Sequence, residues 1–265
     1  MKINFPLLAL AVGAFAIGTT EFSPMGFLPE IANDLSVSIP QAGLLISAYA
    51  VGVMIGAPLM TLWLARFPKK TALILLMAIF TIGNVLATVA PDYMSLMGAR
   101  LITSLNHGAF FGLGSVVAAS VVPKDKQASA VAMMFMGLTI ANIGGVPLAT
   151  WLSQNTSWRM AFAAISILGI ITMLALWKAL PQDHDVVKPN VAKELRVLTR
   201  APVVLALLTT VMSAGAMFAL YTYIAPSLDV FMQASPQTIT LMLVLIGIGF
   251  SIGNHLGGKF ADLSL

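Results

Sequence analysis

The chain contains no cysteine, and only 9% of its 265 residues are charged. The first absence removes disulfide frameworks, thiolate metal sites and cysteine nucleophiles. The second removes the ordinary soluble domain, in which about a quarter of the residues carry charge. The three histidines, His107, His184 and His255, are too scattered to suggest a metal cluster, and neither metal nor cofactor is expected. Catalytic signatures are missing as well: there is no His-Glu-x-x-His, no Gly-x-Ser-x-Gly and no Gly-Lys-Ser/Thr phosphate loop. No two aspartates fall within the apolar runs, so an intramembrane enzyme has no support either. What the chain has instead is 58% hydrophobic residues and a mean hydropathy of +0.93, the composition of a polytopic membrane protein. Its net charge of +4 does not imply nucleic acid, because the basic residues sit in short loops between apolar runs and read as topology signals.

Apolar runs bounded by charge, proline or polar clusters give eight spans, at 5–29, 41–64, 71–90, 93–122, 127–153, 159–180, 202–226 and 237–259. The first is not expected to be a cleaved signal peptide. Ala14-Phe15-Ala16 has the small-x-small look of a cleavage site, but the apolar run continues past it to Leu28. Alternate loops hold Lys2; Arg66, Lys69 and Lys70; Lys124 and Lys126; Lys178, Lys188, Lys193, Arg196 and Arg200; and Lys259, which are 12 of the 14 basic residues. The positive-inside rule therefore places the amino terminus in the cytoplasm, in agreement with an even number of spans.

The charged loop 181–201 divides a six-helix unit (1–180) from a second segment (202–265). Residues 193–200 form either a short amphipathic helix on the cytoplasmic surface or a solvated linker. Across the loop the sequence repeats. Pro40-Gln41 and Pro236-Gln237 stand at an offset of 196, and Gly52, Gly56 and Pro29 match Gly249, Gly253 and Pro226 at 197. Span seven is thus expected to begin a second, parallel copy of the first unit.

Ionisable groups inside apolar runs are costly and carry the functional argument. Glu21 lies ~12 Å and Arg100 ~11 Å from the outer face at 1.5 Å per residue. At one level they either pair and exchange partners when a proton or solute arrives, or form a static structural pair; Glu21 alternatively sits at the outer interface and touches only water. His107, two turns beyond Arg100 and ~10 Å deeper, is either a proton carrier or a neutral imidazole bonded to a backbone carbonyl. Asn106 beside it is a candidate hydrogen-bonding partner for a solute. In span five, Gly137, Asn142, Gly144, Gly145 and Pro147 suit a hinge or rocking contact, or plain close packing.

Gly18-Thr-Thr-Glu-Phe-Ser-Pro-Met-Gly26, Asn106-His-Gly-Ala-Phe-Phe-Gly112, Gly144-Gly-Val-Pro-Leu-Ala-Thr150 and Ser157-Trp-Arg-Met160 resemble the drug:proton antiporter-1 branch of the major facilitator superfamily. This branch includes arabinose-efflux and purine-efflux permeases of bacterial inner membranes. The resemblance covers the whole chain. It implies an all-α helical bundle and secondary transport, with protons and a small organic solute (sugar, nucleobase or drug) as partners within the lipid bilayer. Arg100 takes the position of the family's span-four arginine, implicated in proton coupling, and Glu21 joins it there. Asn106, His107 and Asn142 would line the solute cavity. Arg66, Lys69 and Lys70 match the basic end of the family's gating-loop motif, while Thr61, Ala65 and Pro68 depart from it; the copy after span eight keeps Gly258 and Asp262. Family members have twelve spans, so the chain is expected to be either a fragment or a shortened product. The alternative to transport is a membrane scaffold that binds a partner protein through its exposed face.

Overall fold

The computed structural model describes residues 4–181 and 199–264, with side chains up to Gly253. The described residues are helical, and eight of the helical stretches are long and apolar enough to cross a bilayer. In chain order the helices are α1 (Phe5–Gly26), α2 (Leu28–Asp34), α3 (Ile39–Leu64), α4 (Lys69–Thr88), α5 (Tyr93–Ser104), α6 (His107–Ser120), α7 (Gln127–Ile140), α8 (Val146–Asn155), α9 (Trp158–Ala179), α10 (Ala201–Thr222), α11 (Ile224–Met232) and α12 (Pro236–Ser264). Two spans are composite: α5 with α6, and α7 with α8. The expected span boundaries agree with the helices to within four residues, except at the end of the last. The expected surface helix at 193–200 lies outside the described residues apart from Thr199 and Arg200.

Four of the starts are written locally. Asn4 accepts from the Leu7 amide ahead of α1, Ser38 and Gln41 form a reciprocal capping box at α3, Asp92 and Ser95 form another at α5, and Ser157 caps α9. Such side chains satisfy the first amides, which have no helical partner.

The two breaks within spans have different causes. Between α5 and α6 the chain turns at Leu105 and Asn106, where α3 comes so close that a side chain at Gly56 would strike the Leu105 backbone. Between α7 and α8, residues Ala141–Gly145 form a π-turn directly before Pro147. A proline ring clashes with the carbonyl four residues earlier, and the wider turn accommodates it.

The packing forms two apolar clusters. The larger joins the first six spans around Leu10, Ile17, Phe80, Phe110, Trp158 and Phe162. Gly137 belongs to the same bundle and packs against the Ala11 carbonyl of α1, so closely that a Cβ has no room. The smaller cluster sets Phe22, Met25 and Val146 against Tyr221, Ala225 and Leu243 of α10 to α12.

Candidate functional site

Arg100 is 1% exposed in the middle of this bundle. Its cation is answered first by a backbone carbonyl: Nη1 donates to Thr20 O at 2.9 Å. That carbonyl is free because Pro24, four residues on inside α1, has no N–H to give it. The Thr20 hydroxyl continues the network by donating to Asn84 Oδ1 at 2.7 Å, and Asn84 Nδ2 donates to Phe80 O. Arg100 thereby connects α5, α1 and α4. Its guanidinium also lies 4.2 Å from the centre of the Tyr49 ring and 6.0 Å from that of Phe162, positions in which aromatic faces stabilise a cation. Among the described residues, Nε and Nη2 have no hydrogen-bond partner.

Equal depth suggested a direct pairing of Glu21 with Arg100. The nearest ionisable contact of Glu21 is instead His107, with Oε2 to Nε2 at 3.8 Å; Arg100 acts on Glu21 only through its field. The reason is geometric. Depth along a helix fixes height but not azimuth, and what α1 offers Arg100 is the backbone carbonyl of Thr20. His107 opens α6 after the break and, like Arg100, meets Tyr49 of α3, its Nδ1 lying 3.0 Å from the hydroxyl. The Phe111 ring packs on it from the next turn at 5.1 Å.

Asn106 is buried, and neither polar atom of its side chain has a partner. Asn142 donates to Leu138 O at 3.1 Å. Its Oδ1 is unpartnered, and it borders a cavity of about 50 Å³ with Thr139, Phe250 and Ser251, facing α12 and not the Glu21 group. Among the described residues, Asn142 has no hydrogen bond or ion pair with that group. Of the expected hinge residues, Gly137 and Gly145 sit in close helix contacts, whereas Gly144 meets nothing within 4 Å among the described residues. In the loop after α3, the Arg66 guanidinium lies over Trp63 and Phe67, and Lys70 Nζ donates to Leu180 O at 2.8 Å, closing the end of α9. Lys69 borders the same small cavity as Lys70 and Leu180. The Asp262 side chain lies outside the described residues.

A second polar cluster closes the outer face. Asp34 accepts from Arg159 Nη1 at 2.5 Å and from Trp158 Nε1 at 3.0 Å, and Arg159 Nη2 donates to Ala90 O. The arginine bond, with help from the indole, holds the Asp34 carboxyl below its ordinary value.

Sequence reasoning missed Tyr49, Asn84 and the role of Thr20. Only the last had a readable signal, the proline four residues after it.

This assembly, with titratable groups enclosed by several spans of a many-span helical bundle, defines a polytopic membrane protein whose interior is built for polar business. The chain belongs to the Major Facilitator Superfamily, whose family model matches residues 10–264. It is 68% identical over 265 residues to the inner membrane transport protein YdhP of Escherichia coli, covering 100% of this chain and 68% of that protein. It is 36% identical to the putative transporter AraJ of the same species, covering 96% and 65%, and 29% identical to a probable sugar efflux transporter of Helicobacter pylori, covering 96% and 65%. The chain thus spans about two thirds of the length of these relatives. Among solved structures, it matches a bacterial homologue of the human lysosomal transporter Spinster, in an inward-facing and unoccupied conformation, with a TM-score of 0.77 at 18% identity, covering 97% and 63%. A D-xylose-proton symporter matches with a TM-score of 0.71 at 15% identity, covering 97% and 68%. These likenesses establish the fold. The chain is a multi-pass protein of the inner membrane.

Proposed function

We propose that this chain works as part of a secondary transporter that exports a small organic solute in exchange for protons by alternating access. The observation that carries the proposal is the gathering of Glu21, Arg100 and His107, from α1, α5 and α6, at one place inside the first six spans. Intramembrane ionisable groups are expensive and mark ion or solute paths. Glu21 and Arg100 act in coupling, His107 and Asn106 line the solute path beside them, and Asn142 extends it toward α12. Arg66, Lys69, Lys70 and Asp262 belong to the cytoplasmic gate. In this reading residues 1–180 form one rocking unit, 181–201 the cytoplasmic connection, and 202–265 the opening helices of a parallel second unit. Efflux is supported by the names of relatives, a probable sugar efflux transporter and a chloramphenicol resistance protein of Streptomyces lividans.

The test is solute flux in inside-out membrane vesicles with an imposed pH gradient, using pentoses, hexoses, nucleobases and chloramphenicol as the panel. Gradient-driven exchange of at least one solute is expected, and it is lost in Arg100→Ala and Glu21→Gln. Exchange that continues unchanged in both variants overturns the coupling assignment.

A further inference from the structure

Tyr49 is the residue on which the pieces of the interior cluster converge. From one position on α3 its two ends meet different targets: the ring face carries the Arg100 guanidinium at 4.2 Å, and the hydroxyl lies 3.0 Å from His107 Nδ1. On the far side of the imidazole, Nε2 stands 3.8 Å from Glu21 Oε2. The groups facing His107 are therefore Glu21 from α1, Tyr49 from α3, the field of Arg100 from α5, and the Phe111 ring from α6.

We infer that Tyr49 is a positioning residue that holds His107 in the tautomer with its proton on Nε2, aimed at Glu21, while its ring keeps Arg100 in place. A neutral imidazole has one N–H and one accepting nitrogen. Tyr49 is 2% exposed, and its hydroxyl lies within hydrogen-bond reach of His107 Nδ1, where either atom can donate according to the tautomer. Donation by the phenol makes Nδ1 the accepting nitrogen, so the ring proton must sit on Nε2. The reverse arrangement strands the phenol proton in a buried site and, whenever Glu21 is ionised, turns the Nε2 lone pair against its carboxylate, and both are unfavourable. When His107 takes a second proton, Nδ1 donates to the Tyr49 oxygen and the phenol rotates its hydroxyl away at the cost of its acceptor, while the ring can stay under Arg100. The imidazole can then change charge next to Glu21 while the arginine stays fixed.

This inference rests on the transporter reading only for its functional arm, so its test has two. In the purified full chain labelled with ¹⁵N-histidine, the His107 signals, identified by their loss in His107→Gln, are expected to show Nδ1 as acceptor and the proton on Nε2. Tyr49→Phe keeps the ring and removes the hydroxyl. It should convert that pattern to mixed tautomers, and in the vesicle assay it should reduce proton-driven exchange by roughly fivefold, the worth of one lost hydrogen bond. Tyr49→Leu should disturb the tautomer equally and also lower the melting temperature, because Arg100 loses its platform. A proton found on Nδ1 in the unaltered chain, or a tautomer unmoved by Tyr49→Phe, overturns the inference. If the unaltered chain shows no proton-driven exchange while the spectra behave as expected, the tautomer assignment stands and the transporter reading falls.

Discussion

Helices α1 and α10 each have 22 residues, and both are apolar enough to cross a membrane. Yet 61% of the most apolar window of α1 is buried by protein, and none of the corresponding window of α10 is. The more apolar of the two is α10, and its window is uncovered among the described residues of a chain that spans about two thirds of its relatives' length. They also differ in how some of their polar groups are satisfied. Thr209 and Thr210 of α10 donate to carbonyls of their own helix, Leu205 O and Ala206 O. In α1, the Thr20 hydroxyl reaches Asn84 of α4, and the carbonyl released by Pro24 is taken by Arg100 of α5. A helix whose polar groups cannot be met locally must be enclosed, because hydrocarbon offers no hydrogen bonds.

Paired substitutions sharpen this contrast. The largest effect belongs to glycine positions. Gly137→Leu forces a side chain into the Ala11 carbonyl and should cost about 3 kcal/mol or more, whereas Gly215→Leu, in open surroundings on α10, should stay within about 0.5 kcal/mol. Thermal unfolding in detergent measures both, and equal melting temperatures for the two variants would erase the distinction. Next come the threonines. Thr20→Val leaves the buried Asn84 Oδ1 without its donor and should cost about 1–2 kcal/mol, against almost nothing for Thr210→Val, checked in the same melts.

The seam between the two regions is a smaller effect. Phe22 stacks on Phe218 at 5.6 Å and tilts against Tyr221 at 5.9 Å. Phe218→Ala should remove about 1 kcal/mol of this contact and raise amide exchange in α10 alone; exchange rising equally in α1 would mean that the two regions unfold together. The smallest effect is at the outer clasp. Asp34→Asn should cost a few tenths of a kcal/mol, since both partners are partly exposed. Because the Asp34 carboxyl titrates below its ordinary value, its contribution is fully present above about pH 4 and is lost as pH falls through the lowered value. Melting curves of the two proteins should differ at pH 7 and converge in acid; a difference that persists at the lowest pH contradicts the ionic account.

The apolar runs made the spans legible, because crossing a bilayer imposes a length and a composition that a linear reading detects. The proline-bounded starts of α3 and α12 and the capping residues of α5 and α9 were readable for the same local reason. The site was legible in its membership but not in its wiring. Glu21, Arg100 and His107 stand out because charge inside an apolar run is rare. Their partners are set by rotation about each helix axis and by the break at Leu105 and Asn106, neither of which depth arithmetic contains. Tyr49 was invisible for a further reason: an aromatic residue in an apolar span looks the same whether it packs against lipid or holds two charged side chains. Gly144 shows the limit of spacing, since a small residue permits close approach without requiring it.

The π-turn at Ala141–Gly145 gives this span an arithmetic property of its own. It carries one residue beyond α periodicity, and in a helix of 3.6 residues per turn one residue amounts to a rotation of about 100°. The faces of α7 and α8 are therefore indexed independently: α7 presents Gly137 to α1, while α8 is clocked a quarter-turn away from the face that an unbroken helix would show. Gly247 of α12 rests directly on the backbone of Asn142 and Ile143 within that turn. The surplus residue is thus where the angular register of the six-span bundle is handed to the helices beyond it, like a vernier set between two scales.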